Sequence, residues 1–237
     1  MRKHSIFFLS ICFISGLQLA GAQTLDQILE NHFKASGQDK LSSVSSVVSS
    51  GKAMQMGTEL PFMQIQKRPD NMYLEINVDG QKVIQVYNGK NGWAVEPWVS
   101  PDARELSGPE LKNAGLMARI DSDLVNWEEK GDLLEYIGKE TYEGNEMYLL
   151  KLTKETGESY QFYIDTETYL ISKLVAHTNS GGNVVEGETI LGDYRKIHGV
   201  SVPFRTEVRY GGQTLMTNII DSVGFDMEID EHFFSKP

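Results

Sequence analysis

The chain has 237 residues, of which 22 are basic and 33 acidic, for a formal net charge of −11. That excess of acid repels phosphate backbones and anionic membrane surfaces, so nucleic-acid binding is not expected. The single cysteine, Cys12, lies near the start of the chain and leaves the remainder without thiol or disulfide chemistry.

The first 22 residues read as a secretory signal peptide. Arg2, Lys3 and His4 form a basic start, residues 5–19 an apolar run, and Ala20-Gly21-Ala22 supplies small residues before a cut. The run is shorter than the ~20 residues of a membrane span. Cys12 follows Ile11 in mid-run, which is not the cysteine position of a lipoprotein. Cleavage after Ala22 and a periplasmic location are expected, with one domain over residues 23–237. With Arg2 and Lys3 removed, 20 basic residues face 33 acidic ones, a net charge of −13.

Residues 24–36 predict an amphipathic helix. Thr24 and Gln27 have capping-box spacing, Leu25, Ile28, Leu29 and Phe33 form one stripe, and Gly37 suits the position after the helix. Residues 39–43 extend it by another turn. The pattern then becomes strand-like over 44–56, 59–68, 71–78, 82–87 and 92–98. Gly57-Thr58, Pro69-Asp70, Asp79-Gly80, Asn88-Gly89 and Asn91-Gly92 are the punctuation, and Asp79-Gly80 is a two-residue hairpin signal. Residues 100–130 lack strand alternation. Pro109 opens a helix to about Ile120 with Leu111, Leu116, Met117 and Ile120 apolar, and Asp121-Ser122-Asp123 caps a second short helix through Leu124 and Trp127. Strands resume over 133–141, 146–154, 159–164, 170–178, 184–196, 202–210 and 214–223, and the tail ends in Phe233-Phe234 after a cap at Asp230. About twelve strands joined by short turns predict a mainly β fold. It is one strongly curved antiparallel sheet, with the N-terminal helix and the helical insert over its mouth or concave face.

Motifs for chemistry are sparse. His4, His32, His177, His198 and His232 lack metal-ligand spacing, and Asp121-x-Asp123 lacks the rest of a calcium loop, so no metal is expected. There is no G-x-S-x-G elbow and no glycine-rich phosphate cradle, so no cofactor and no enzyme activity are expected. Trp93, Trp98 and Trp127, with Met54, Met56, Met63, Met72 and Met117, suit either an adaptable apolar cavity or plain core packing. Arg68 ends a strand before Pro69 and shares a face with Leu60, Phe62, Gln64 and Gln66. It is either a cavity arginine or an exposed rim charge.

Two segments carry a family resemblance: Lys67-Arg68-Pro69-Asp70-Asn71-Met72-Tyr73, and Tyr87-Asn88-Gly89-Lys90-Asn91-Gly92-Trp93 followed by Glu96-Pro97. They resemble the K-R-P-[ND] and [DN]-G-K-x-x-W segments of the LolA/LolB superfamily of periplasmic outer-membrane lipoprotein-sorting proteins, in the LolA-like form of Bacteroidota. The resemblance implies a half-open β-barrel covered by an N-terminal helix and a helical insert, with an interior that shields acyl chains. It makes Arg68 a functional residue at the cavity. The expected ligand-binding set is Arg68, Phe62, Leu74, Ile76, Ile84, Val86, Trp93, Trp98, Leu116, Met117 and Ile120. The implied partners are lipoprotein acyl chains or another lipid, with an inner-membrane release complex and an outer-membrane acceptor. A sensor or interaction module that binds a protein partner through the same fold is the alternative. A hydrolase or isomerase is a third, without a visible constellation to support it.

Overall fold

A computed structural model describes residues 23–180 and 183–237. The expected signal segment and the Gly181-Gly182 turn lie outside the described residues. Helix α1 (Leu25–Ser36) begins with the expected capping box. The Gln27 amide donates to the Thr24 hydroxyl at 3.3 Å, and the Thr24 amide donates to the Gln27 side-chain oxygen at 3.1 Å. The helix ends at Gly37, whose φ of 77° is left-handed, and α2 (Gln38–Leu41) follows. A side chain at Gly37 would also meet the carbonyl oxygen of Gly199 at 2.2 Å, so glycine is needed there twice over.

Thirteen strands follow. The first meander is β1 (Ser46–Gln55), β2 (Thr58–Lys67), β3 (Asn71–Val78), β4 (Gln81–Asn88), β5 (Gly92–Glu96) and β6 (Ser100–Glu105). After α3 (Gly108–Ala118) come β7 (Leu133–Tyr142), β8 (Asn145–Thr153), β9 (Ser159–Asp165), β10 (Ile171–Ser180), β11 (Asn183–Ile197), β12 (Val200–Tyr210) and β13 (Gln213–Phe225). They form one antiparallel sheet in the order β6-β5-β4-β3-β2-β1-β13-β12-β11-β10-β9-β8-β7. Each meander pairs strand with next strand, and the two join where β1 meets β13. The sheet does not close: β6 and β7, neighbours in the sequence, are its two edges.

The insert departs from expectation in two places. Residues 100–105 form a thirteenth strand, and residues 121–130 form a series of turns without a second helix. Ser-Pro-Asp-Ala-Arg-Glu has no apolar alternation because it is an edge strand with little to bury, where proline and charge are tolerated. At the other edge, β7 is interrupted by a register shift between Tyr136 and Gly138, which blunts it against further pairing.

Register divides the side chains into two faces. On one, Met72 and Leu74 of β3, Tyr87 of β4 and Ala94 of β5 pack with Leu106 and with Leu111, Ala114 and Ala118 of the α3 region. On the same face at the other arm, Tyr148, Leu150 and Leu152 of β8 and Tyr160, Phe162 and Ile164 of β9 pack with Ile28 and Leu29 of α1 and with Leu124. On the opposite face, Ile65, Tyr73 and Val86 pack with Phe234 in the 3₁₀ turn Glu231–Phe234, and Trp93, Ile84, Ile229 and Phe233 surround them. The Asp230 carboxylate accepts from the His232 amide at 3.0 Å, the expected cap of that turn.

The helix face is the inner face. From β4, under α3, to β9 is eight steps along the sheet, or roughly 40 Å at about 4.8 Å per strand if it were flat. Yet Lys112 of α3 pairs with Glu158 in the β8–β9 turn. The sheet must therefore roll around its helices.

His32 of α1 is 4% exposed and donates from Nδ1 to the Tyr169 carbonyl at 2.8 Å. Burial lowers its pKa, so the folded imidazole stays neutral while the unfolded chain takes up a proton. Its contribution to stability is present above the ordinary histidine value and is lost as pH falls below it. The unfolding midpoint should fall between about pH 7.5 and about pH 5.5. His32→Gln, which keeps a donor but does not titrate, should flatten that fall in denaturant titrations at the two pH values.

Candidate functional site

The insert is pinned at two points. Ala114 and Ala118 of α3 are small enough to bring the helix down on the β3–β5 arm, and Gly115 lies where a methyl group would touch the Tyr87 ring at 3.4 Å. Farther on, Leu124 is fully buried in the cluster formed by α1, β8 and β9. Residues 119–123 cross between these points. Glutamines of β2 receive the end of α3: Gln66 donates to the carbonyls of Met117 at 2.8 Å and Arg119 at 2.9 Å, and Gln64 to Met117 at 3.3 Å. These bonds satisfy carbonyls that a helix C-terminus leaves without partners.

Arg68 holds the middle of the crossing. Its guanidinium is bidentate to Asp121, with one bond at 2.8 Å. It also donates to the Val44 carbonyl at 2.7 Å and to the Leu41 carbonyl, at the end of α2, at 3.1 Å. Gln38 of α2 donates to the same carboxylate at 3.0 Å. Arg68 pulls the Asp121 carboxyl below its ordinary range, and the carboxylate raises the guanidinium in return. The side chain is 31% exposed, so it sits at the rim with every bond directed inward.

Beside this joint lies a cavity of about 820 Å³, within the range that encloses small ligands. Its apolar floor is Tyr87, Leu111, Leu116, Ile120 and Tyr160. Its walls are charged. Lys154 binds Asp123 at 2.8 Å and Asp132 at 3.0 Å, and Arg119 binds Asp123 at 2.9 Å. Among the described residues no group of three or more His, Cys, Asp or Glu side chains is arranged to hold a metal.

The expected ligand-binding residues fall into separate places. Arg68, Leu116 and Ile120 line the cavity. Phe62, Leu74 and Ile76 are on the inner face, Phe62 opposite Ile76 and Gln64 opposite Leu74 in the β2–β3 pair. All three are half-buried. Met117 is at the end of α3 with an exposed side chain. Ile84, Val86 and Trp93 do not join them. They face the other side of the sheet, under the C-terminal segment, where Val86 is 1% exposed. Trp98 lies in the β5–β6 turn, 55% exposed. Trp127 packs against the α1 cluster, so the three tryptophans do not assemble over one opening. The Asp79-Gly80 turn holds the reason: a two-residue loop pairs Val78 with Gln81, which sets Leu74 opposite Gln85 and turns Ile84 and Val86 away.

A rolled, open antiparallel sheet with an N-terminal helix and a helical insert on its inner face is a LolA-like fold, and this chain has it. Three solved structures show the likeness. A DUF1329 family protein from Desulfovibrio piger ATCC 29098 aligns with a TM-score of 0.59 and 16% identity over 88% of this chain and 97% of its own. A domain from Vibrio parahaemolyticus described as an outer membrane lipoprotein-sorting protein gives 0.58 and 10% over 88% and 97%. A LolA superfamily protein from Nitrosomonas europaea gives 0.56 and 15% over 91% and 99%. No protein-family model matches the chain, and no curated protein sequence does.

Removing the Arg68 joint should loosen the crossing. Arg68→Leu leaves Asp121 and two carbonyls without their donor, a change expected to cost about 1–3 kcal/mol. Hydrogen exchange should speed up at residues 38–44 and 119–125 and stay unchanged in β8 and β9.

Proposed function

We propose that this protein is a non-enzymatic carrier, exported to the periplasm, that holds the acyl chain of a lipoprotein or another lipid on its inner face. The observation that carries this reading is the placement of apolar surface. The outer cluster around Tyr73 and Val86 is filled by the chain's own Phe233 and Phe234. On the inner face, Phe62, Leu74 and Ile76 remain half-buried, Leu74 at the margin of the α3 cluster, and a cavity on the same insert is lined in part by Leu116 and Ile120. An acyl chain laid along that row would bury what the helices leave open, and burial of apolar surface drives such binding at about 25 cal/mol per Å². Most of the charged residues that line the cavity are held in ion pairs. The LolA-like fold supports the reading, and handover between an inner-membrane release complex and an outer-membrane acceptor is the transport step that it implies.

Displacement of the fluorescent fatty acid cis-parinaric acid tests it. The wild-type protein should bind the probe, and Leu74→Arg or Ile76→Arg should weaken binding about tenfold or more with circular dichroism unchanged. Ile84→Ala, on the other face, should leave affinity within about twofold of wild type. Equal loss from both faces, or no binding by the wild type, would overturn the proposal.

A further inference from the structure

The cavity lining carries charge that is not committed to ion pairs. Seven of the lining charged residues are in ion pairs: Arg68 with Asp121, Lys112 with Glu158, Arg119 with Asp123, and Lys154 with Asp132. Four have no ion-pair partner among the described residues: Asp70, Lys90, Lys130 and Glu155. They are divided by sign and by wall. Asp70 and Lys90 stand on the neighbouring β2–β3 and β4–β5 turns, which approach closely enough that a side chain at Gly89 would lie 3.9 Å from the Asp70 carbonyl. Lys130 and Glu155 stand on the far wall, at the end of the insert and in the β8–β9 turn. A side chain at Gly131, next to Lys130, would lie 3.5 Å from the Glu155 carboxylate. The Lys130 ammonium donates only to the Val125 carbonyl, at 2.6 Å. Each of these two places thus presents one cation and one anion outside any ion pair, all four solvent-exposed, around a cavity whose apolar lining is Tyr87, Leu111, Leu116, Ile120 and Tyr160.

We infer that this cavity takes the head group of a zwitterionic amphiphile, one that carries a phosphate and an ammonium together. The inference rests on the carrier reading and names the class of its cargo. Electrostatics selects among head groups. A neutral one could offer these charges hydrogen bonds but no opposite charge, and so gains least from them. An anionic one would pair the two lysines while facing Asp70 and Glu155 as like charges. A zwitterion offers phosphate to Lys90 or Lys130 and ammonium to Asp70 or Glu155, and so compensates both signs. The apolar lining of the cavity and the half-buried inner-face residues Leu74 and Ile76 are the surfaces available to the chain of such an amphiphile.

The experiment measures displacement of cis-parinaric acid by three single-chain lipids at submicellar concentration. They are lysophosphatidylethanolamine, lysophosphatidic acid and monoacylglycerol, with phosphoethanolamine as the chainless head group. Lysophosphatidylethanolamine should compete at least fivefold better than either of the other lipids, and phosphoethanolamine alone should not compete at the same concentration. The variants separate the two signs. Lys90→Gln and Lys130→Gln should weaken both phosphate lipids. Asp70→Asn and Glu155→Gln should weaken lysophosphatidylethanolamine and strengthen lysophosphatidic acid. If the three lipids compete equally and the variants change nothing, the head-group inference fails while the carrier reading stands. If phosphoethanolamine competes as well as the lipid, the site takes a free head group and the amphiphile is overturned. If none competes because the probe itself does not bind, both readings fail.

Discussion

The insert has to cross from one arm of the sheet to the other, and the bidentate contact between Arg68 and Asp121 fixes where it crosses. Three parts of the chain that are distant in sequence meet at that guanidinium: the end of α2 through Leu41, the entry to β1 through Val44, and the insert. Each part alone is short and irregular. The insert between Ala118 and Leu124 has no secondary structure of its own beyond turns, so its position is set by its partners. A charge-assisted, forked contact is directional as well as strong, and at the rim of a cavity direction is what positions a covering segment.

The two faces of the sheet are finished differently. A thirteen-stranded sheet made mostly of short hairpins presents apolar surface on both sides. Over the first arm the outer side is covered by residues 226–234: Asp226 accepts from the Ser45 amide at 2.7 Å, Lys67 pairs with Glu231, and the Phe233 ring meets Tyr73 edge-on at 5.0 Å. The inner face is covered by separate helices with a gap between them. On the outer face the C-terminal segment covers the first arm, while Met147, Leu149, Tyr163 and Val175 form a separate cluster on the second arm.

Much of this was legible in the residues. The capping box at Thr24 and Gln27, the turn glycines and the Asp230 cap are local chemistry, and the structure forms them where the sequence predicts them. The rolled sheet followed from the number of strands and the shortness of their turns. The expected ligand-binding residues lie on both faces of the sheet, Phe62, Leu74 and Ile76 on one and Ile84, Val86 and Trp93 on the other. The division is implicit in Asp79-Gly80, which pairs Leu74 with Gln85 and so gives Ile84 the opposite orientation. Other features had no local signal. Ser100–Glu105 carries neither alternation nor β-branched residues, since its strand state comes from pairing with β5 at an exposed edge. Asp121 read as a helix cap because nothing near it in sequence announces Arg68, 53 residues away. The charged cavity walls come from four separate segments, and only tertiary structure brings them together.

The join between β1 and β13 bears on how the molecule is made. The two strands at the centre of the sheet come from opposite ends of the folded domain, with Val47 opposite Phe225. Each meander can form its own neighbouring pairs as soon as its strands exist, but the two cannot be registered against one another until the last strand is available. Long-range pairing of this kind is entropically costly to close and slow to form. The two meanders therefore remain unjoined ribbons until β13 is available to pair with β1. The architecture makes completion of the native sheet wait on the last strand of the second meander, so the register of the whole sheet is settled by one late, long-range pairing.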